Sequence, residues 1–431
     1  MNFKKHLHNK TLQNSFFTLA LRMAGVATLF GLSTLMTRNI DAAYVGSYEF
    51  ARVTLLTIAT FGLLGTEQSV LYFSGKLDAQ AQTKQLQSIY FKMLKVVWIA
   101  SVVVGVLYLI VPVSWLVSLG IKSSLLNVLK KCIMILPFYT TTILNTETIR
   151  AYNNILLSEW FRNIFKYIPI ILGTILIIYN LVPVDTLLDW YLYGFVFLAI
   201  ATFIILQMHL RKEHTLRLGT VSTQDIIKTS YPMAISSFCT YLLMTVDVFL
   251  LAQFFNLEYT AYYAIAMKIM SILSMVIIGV NINYAPKIAV YFEKKDFISL
   301  KSNLKEAAKT IALLNVIVGF ILLMGGRFFL SLFGESYVEA LPAYNILITT
   351  QITVSLFGMV PMYMNMTGKQ RIFHKIMATA VVVNIFCNIF LIPKYHMVGA
   401  AVGYAITVLF WNIMVVYFSY KTDKVILSLW K

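Results

Sequence analysis

Long apolar segments, each bounded by charged residues, glycine or proline, follow one another along the whole chain. A membrane-crossing helix needs about 20 consecutive, mainly apolar residues, and twelve segments approach or exceed that length. They lie at 14–37, 48–73, 94–117, 127–149, 161–182, 187–209, 231–255, 260–285, 307–332, 342–366, 371–392 and 396–419. The pattern predicts an all-α polytopic membrane protein with about twelve transmembrane helices.

The composition supports this prediction and removes several classes of protein. Of the 431 residues, 59% are hydrophobic and 12% are charged, whereas a soluble domain has about 45–50% apolar and about 25% charged residues. Twelve spans of about 20 to 24 residues leave only about eleven residues for each connection or tail. A folded soluble domain needs on the order of 100 residues. Receptor ectodomains, fused ATPases and most soluble enzymes are therefore excluded.

The basic residues are distributed unevenly between the two ends of the predicted spans. With the N-terminus in the cytoplasm, 26 of the 35 lysines and arginines fall on the inner side, six on the outer side and three within helices. Positive charge accumulates on the cytoplasmic side of membrane proteins. We therefore expect a multi-pass protein of the bacterial inner membrane with both termini in the cytoplasm. The net charge of +17 then faces membrane lipids, and no nucleic-acid partner is expected.

The middle of the chain divides the spans into two sets of six. A polar and basic connection at 210–230 is the natural linker, which gives an N-terminal lobe at 1–209 and a C-terminal lobe at 231–431. The halves also share a weak repeat, because Tyr44–Tyr48 and Tyr259–Tyr263 precede corresponding spans. With six spans in each copy, the two lobes would insert in the same orientation.

Motifs for ATP hydrolysis and metal binding are missing from the sequence. Neither Gly75-Lys76 nor Gly368-Lys369 is followed by the Ser or Thr that a phosphate-binding loop requires. The six histidines form no metal-binding cluster, and the three cysteines lie on three different predicted spans. The sequence therefore predicts a protein that is not an enzyme and carries no metal or other cofactor.

Ionisable residues within the predicted spans are the strongest candidates for function, because each costs at least about 2.5 to 3.5 kcal/mol to insert. Eight qualify, namely Arg22, Arg52, Glu67, Glu147, Arg150, Asp247, Lys268 and Arg327. Arg22 and Glu67 lie at similar depths on neighbouring spans, and so do Asp247 and Lys268. An ion pair could therefore form between Arg22 and Glu67 and between Asp247 and Lys268. Two interpretations stay open for these four residues: a buried structural ion pair, or the lining of an aqueous cavity.

The cavity interpretation assigns roles to five residues. Arg22, Arg52 and Lys268 are predicted to bind the substrate, since basic groups in a low-dielectric cavity attract phosphate. Glu67 and Asp247 are predicted to carry a coupling ion, because a buried carboxylate with a basic neighbour can exchange a proton. Glu67 is the preferred coupling residue, because its position near the cytoplasmic mouth allows proton release into the cell.

Several short motifs carry a resemblance to a known family. They are Leu21-Arg-Met-Ala-Gly25, Leu35-Met-Thr-Arg-Asn39, Tyr44-Val-Gly-Ser-Tyr48, Phe333-Gly-Glu-Ser-Tyr337, Met366-Thr-Gly-Lys369, the segment 384–388, Leu391-Ile-Pro-Lys-Tyr395 and Val398-Gly-Ala-Ala401. In order and spacing they resemble bacterial polysaccharide and O-antigen repeat-unit flippases of the multidrug/oligosaccharidyl-lipid/polysaccharide exporter superfamily. The similarity runs over nearly the whole chain.

The resemblance implies two six-helix lobes that form a central cavity and work by alternating access. It also implies ion-coupled movement of undecaprenyl-diphosphate-linked oligosaccharide, an O-antigen or capsule repeat unit, from the cytoplasmic to the outer leaflet. An O-antigen polymerase and a chain-length regulator are the partner proteins expected. Two alternatives remain. A drug/cation antiporter of the same superfamily needs an anionic or aromatic cavity, and a membrane-embedded O-antigen polymerase or glycosyltransferase needs a large outer loop.

Overall fold

The computed structural model describes residues 2–79, 85–118, 122–210, 221–423 and 425. Within these ranges the chain is made of α-helices and short 3-10 helices, and no β-strand occurs there. The predicted all-α fold is confirmed. Residues 211–220, which are ten of the 21 residues of the predicted linker, lie outside the described residues, and so do Arg217 and Lys424, which are predicted to be cytoplasmic.

Sixteen α-helices are described. They are α1 Asn2–Asn39, α2 Ala42–Leu63, α3 Thr66–Ala79, α4 Leu86–Ile110, α5 Val113–Ser118, α6 Ser123–Ala151, α7 Ile155–Asn163, α8 Ile168–Ile178, α9 Leu187–Leu210, α10 Thr223–Phe254, α11 Leu257–Glu293, α12 Phe297–Met324, α13 Gly326–Ser331, α14 Leu341–Ser355, α15 Val360–Met366 and α16 Gln370–Asp423. The 3-10 helices are Phe165–Tyr167, Val184–Thr186 and Glu335–Ala340.

Eight of the described helical segments are long and apolar enough to cross a membrane, or nine if the bent pair Glu335–Ser355 and Val360–Met366 forms one span. This count is below twelve for two reasons. The last two predicted spans lie together in the 54 residues of α16. The predicted spans 48–73 and 127–149 fall on the broken pair α2–α3 and on α6, where charged and hydroxyl side chains interrupt the apolar run. All twelve predicted segments fall on helical parts of the chain, so the twelve-span prediction is compatible with the structure.

The break between α2 and α3 depends on backbone that favours glycine. Leu64 and Gly65 have φ angles of 49° and 80°, in the left-handed region that a residue without a Cβ adopts at no steric cost. A Cβ on Gly65 would also lie 2.2 Å from the backbone oxygen of Ser230 on α10. The break therefore allows α10 to approach closely, and it places Glu67 in the first turn of α3.

Helix α16 contains one residue with non-helical geometry, which separates its two predicted spans. His396 has φ 52° and ψ −129°, an uncommon conformation for a residue other than glycine. Its ring packs against Phe255 and Tyr259, with ring centroids 4.2 and 5.8 Å away. The prediction that one span ends near 392 and the next begins at 396 agrees with this interruption.

The chain divides into two compact units, Met1–Tyr241 and Leu242–Lys431. The first unit is built around α6, which packs against α2, α3, α4, α7 and α9. Hydrogen bonds connect these helices inside the unit, because Tyr90 Oη donates to Asn145 Oδ1 over 2.7 Å and Asn145 Nδ2 donates to Thr202 Oγ1 over 3.0 Å. In the second unit, α11, α12, α14 and α16 pack together.

Candidate functional site

A cavity of about 520 Å³ lies within the first unit. Residues of α2, α3, α6, α7, α9 and α10 and of the 3-10 helix Phe165–Tyr167 form its walls. Seven aromatic side chains line it, namely Tyr48, Tyr139, Phe161, Tyr167, Tyr191, Phe195 and Tyr241. Ligand pockets in proteins have volumes of about 300–1,000 Å³. The cavity is therefore large enough for the polar head group of a lipid or for a small organic molecule.

Basic groups outnumber acidic groups on the cavity wall. The ionisable lining residues other than tyrosine are Arg52, Arg150, Arg162, Lys166, Glu67 and Glu147. A concave surface with an excess of one sign of charge concentrates ligands of the opposite sign. Phosphate and carboxylate groups are the anions that arginine binds with two parallel hydrogen bonds. The cavity thus has the charge and the donors to bind an anionic ligand.

Arg52 is held in place by an acid on its own helix. Its Nε donates to Glu49 Oε2 over 2.8 Å, and the two residues are one turn apart on α2. The Glu49 side chain is fully buried, whereas the Arg52 side chain is 34% exposed. Because this ion pair uses Nε, the terminal Nη1 and Nη2 groups of Arg52 keep donors for a ligand.

Glu147 lies between two arginines of the same cavity. Its Oε1 accepts a hydrogen bond from Arg162 Nη1 over 3.0 Å, and its Oε2 lies 3.8 Å from Arg150 Nη1. Helix α6 supplies Glu147 and Arg150, and the short helix α7 supplies Arg162. The arrangement keeps two like charges close together with a single carboxylate between them.

Lys166, the fourth basic residue on the cavity wall, lies next to an aromatic ring. Its Nζ lies 4.8 Å from the centre of the Tyr167 ring, a cation–π distance. Within the described part of the chain, no carboxylate lies within ion-pair distance of Lys166, in contrast to the three arginines of the cavity. Among the four basic residues of the cavity wall, Lys166 is therefore the one whose charge no described carboxylate neutralises.

Glu67 also lines the cavity, and one of its carboxylate oxygens has no hydrogen-bond partner among the described residues. Ser237 Oγ donates to Glu67 Oε1 over 3.0 Å, and Gln68 Nε2 donates to the same Ser237 oxygen over 2.7 Å. Glu67 Oε2 is buried and makes no hydrogen bond to the described residues. A buried acceptor without a donor is costly, so this oxygen can take a hydrogen bond from a ligand or carry a proton.

Arg22 pairs with a residue other than the one expected. Its Nη2 and Nε donate to the two carboxylate oxygens of Glu159 over 2.9 and 3.2 Å. The predicted pair between Arg22 and Glu67 is therefore wrong. The reason is that α1 packs on α7, so closely that a Cβ on Gly25 would lie 2.5 Å from Asn163 Cβ. Arg22 is absent from the lining of the 520 Å³ cavity.

The second unit contains a different buried cluster, which is centred on Asp247 of α10. Asn388 Nδ2 and Asn384 Nδ2, both on α16, donate to Asp247 Oδ1, the latter over 3.3 Å. Tyr263 Oη donates to Asp247 Oδ2 over 3.1 Å. All four side chains are buried. The hydrogen bonds described for Asp247 thus come from amides and a phenol, and the expected pair with Lys268 is not among them.

The described side chains do not assemble a typical metal site. No group of three or more histidine, cysteine, aspartate or glutamate side chains comes together in the described parts of the chain. The Asp247 cluster offers one carboxylate together with amide and hydroxyl oxygens, which suits a proton or a monovalent cation better than zinc. Lys268 lies in the same unit on α11 and is buried.

Several residues of the site were missed by the sequence analysis, and each had a signal. Arg162 and Lys166 belong to the 26 basic residues assigned to the inner side, because they lie among the first six residues of the predicted span 161–182. Glu159 lies two residues before the predicted start of its span at 161, and Glu49 lies one residue after the start at 48. A search that admits both span ends would have included them.

Comparisons with known proteins agree on the type of fold. Residues 232–390 match the MatE family model, and none of the curated proteins matches the chain. Among solved structures, the lipid II flippase MurJ in an inward closed conformation has a TM-score of 0.75 at 13% identity, covering 95% of this chain and 88% of that chain. The MATE multidrug transporter DinF-BH has a TM-score of 0.65 at 14% identity, with 96% of each chain covered.

The chain has the fold of the MurJ and MATE transporters. A third structure of this type comes from Pyrococcus furiosus, with a TM-score of 0.64, 14% identity and coverage of 95% of this chain and 94% of that chain. That protein is described as a MOP superfamily transporter whose binding pocket has reversed polarity. The multi-pass membrane prediction is confirmed at this level, and the transport of a lipid-linked sugar stays a prediction.

Proposed function

We propose that the protein is a flippase that moves undecaprenyl-diphosphate-linked oligosaccharide, an O-antigen or capsule repeat unit, across the bacterial inner membrane by alternating access. The observation that carries this proposal is the 520 Å³ cavity with four basic and two acidic side chains. A diphosphate carries negative charge at neutral pH, and guanidinium groups match its oxygens geometrically. The tyrosines of the same wall provide hydroxyl groups and ring faces that suit a sugar.

The charge of the cavity also separates this proposal from its main alternative. A drug/cation antiporter would bind cationic drugs, and bringing a cation next to Arg150, Arg162 and Lys166 is unfavourable because like charges repel strongly in a low-dielectric site. The aromatic lining alone would suit either ligand. The excess of positive charge therefore favours the anionic, lipid-linked substrate.

Arg52 contributes to this site from the cavity wall. The assignment of Arg22 and Lys268 to substrate binding stays a prediction, because neither residue is on the wall of this cavity. Arg22 forms an ion pair with Glu159, and Lys268 belongs to the second unit. The proposed function further includes membrane lipids as surroundings, and an O-antigen polymerase and a chain-length regulator as partners that would act on the exported repeat unit.

We also propose that transport is coupled to an ion through Glu67, Asp247 or both. Glu67 has a buried oxygen to which no described residue donates, and Asp247 is buried among neutral donors. A Glu67→Gln protein is expected to fold normally and to lose its response to an imposed pH gradient in proteoliposomes. A full response in that variant would remove Glu67 from the coupling role.

The function can be tested in a bacterial strain whose surface polysaccharide depends on this protein. Lys166→Gln removes the uncompensated charge of the cavity without leaving an acid unpaired, and we expect at least a tenfold loss of surface glycan at a normal protein level. Lys130→Gln is the matched control, because Lys130 is an exposed base on α6 that is absent from the cavity wall. Equal surface glycan in the two variants would contradict the proposal.

A further inference from the structure

The position of Glu147 has a consequence for how an anion enters the cavity. Its two carboxylate oxygens face two different arginines, at 3.0 Å from Arg162 Nη1 and 3.8 Å from Arg150 Nη1. The Glu147 side chain is only 11% exposed, whereas those of Arg150 and Arg162 are 32% and 49% exposed. The carboxylate therefore lies deeper than the guanidinium groups that it neutralises, and both arginines extend into the cavity.

A phosphate group would need the same donors that Glu147 occupies. Oxygens of a phosphate bridge two guanidinium groups in the same way as the two oxygens of a carboxylate. We propose that Glu147 is a resident anion, which occupies Arg150 and Arg162 in the unloaded cavity and is displaced from them by the anionic group of the substrate. This inference rests on the proposed function and adds a residue that sets how tightly the substrate binds.

The effect of such competition has a definite sign. When a binding site is available only in a fraction of molecules, the apparent affinity falls in proportion to that fraction. Glu147 would therefore weaken anion binding. It would also favour release, because its ion pairs with the two arginines form again when the ligand leaves. A positioning residue would do the opposite, since its removal would disorder the arginines and weaken binding.

The direct test is the binding of inorganic pyrophosphate to the purified full-length protein, measured by calorimetry. We expect Glu147→Gln to bind pyrophosphate at least about tenfold more tightly than the unmodified protein, and to transport more slowly because release is impaired. Asp189→Asn is the matched control. It removes one negative charge from the ion pair with Lys131 in the same unit, but Asp189 is absent from the cavity wall, so a gain of no more than about twofold is expected.

A second variant keeps the proposal testable if Glu147→Gln does not fold. Glu147→Asp retains the charge and withdraws the carboxylate by one methylene group, so we expect several-fold tighter binding than in the unmodified protein. Unchanged or weaker binding in the folded variant, Glu147→Gln or Glu147→Asp, would overturn the proposal, and so would an equal gain in Glu147→Gln and Asp189→Asn. The assay needs no lipid-linked sugar. A failure here is therefore distinct from a failure of the transported substrate to be the one proposed.

Discussion

Replacing Arg22 by alanine is expected to destabilise the protein through the acid that it leaves behind. The Glu159 side chain is 1% exposed and accepts hydrogen bonds from Arg22 Nε, Arg22 Nη2 and Asn163 Nδ2, at 3.2, 2.9 and 2.7 Å. Arg22→Ala removes two of these three donors, together with the positive charge that forms the ion pair with Glu159. Glu159 would then be a buried carboxylate held by one amide.

The size of the effect follows from the burial of the two partners. Breaking a fully buried ion pair by removing one member costs about 3–5 kcal/mol. The Arg22 side chain is 40% exposed, so water can replace part of what is lost, and we expect a decrease of about 2–3 kcal/mol in the free energy of unfolding. Arg22→Lys should lose less, because it keeps the charge but not the two parallel hydrogen bonds.

Thermal and denaturant unfolding of the purified protein in detergent can measure this difference. The set to compare is Arg22→Ala, Glu159→Gln and the double variant, in which the unpaired charge is gone and most of the stability should return. Arg327→Ala is the control, because Arg327 is an exposed base at the start of α13. If Arg22→Ala unfolds like Arg327→Ala, the reasoning from the buried pair is refuted.

The same variants separate the structural role of Arg22 from its predicted role in substrate binding. If the arginine serves only the pair with Glu159, the double variant should recover surface glycan along with stability. If Arg22 also contacts the substrate, the double variant should be stable and inactive. Export measured at matched protein levels decides between these two outcomes.

Three further predictions concern other parts of the chain. Arg52→Ala should abolish surface glycan, while Arg52→Lys should keep part of it because a point charge still faces the cavity; equal activity in both would remove Arg52 from the site. Asp247→Asn should remain folded, since the asparagine keeps the size and one acceptor oxygen of the side chain, but should lose transport driven by an imposed proton or sodium gradient in proteoliposomes. Single cysteines at positions 5, 217 and 424 should stay unmodified by an impermeant reagent in intact cells, and labelling at these positions would contradict the cytoplasmic assignment of both termini and the linker.

The fold could be predicted from the sequence because the bilayer imposes a simple requirement on helix length and polarity. Twelve apolar segments with polar ends leave few alternatives, and all of them fall on helical parts of the structure. The break at Leu64–Gly65 was not visible, because Phe61–Leu64 continues the apolar pattern up to the glycine. The break accompanies the close approach of α10, a contact between residues 165 positions apart, as for the pair Gly65 and Ser230.

The ionisable residues of the site could be identified from the sequence, but their partners could not. Depth along a span matched Arg22 with Glu67, whereas the structure pairs it with Glu159, 137 positions away along the chain. Asp247 similarly receives hydrogen bonds from Asn384 and Asn388, since helix rotation decides which side chains meet and depth alone carries no information on rotation. The clustering of Arg150, Arg162 and Lys166 in one cavity has the same origin, because it requires the chain reversal between α6 and α7.

Movement of an anionic, lipid-linked sugar in proteoliposomes would show directly whether the basic cavity serves this substrate. Undecaprenyl-diphosphate-linked oligosaccharide is placed in liposomes with the purified protein, and its appearance in the outer leaflet is followed with an impermeant enzyme that modifies the sugar. We expect transfer by the unmodified protein, at least tenfold slower transfer by Lys166→Gln, and no transport of a cationic dye. Transport of the dye without transfer of the lipid-linked sugar would contradict this expectation.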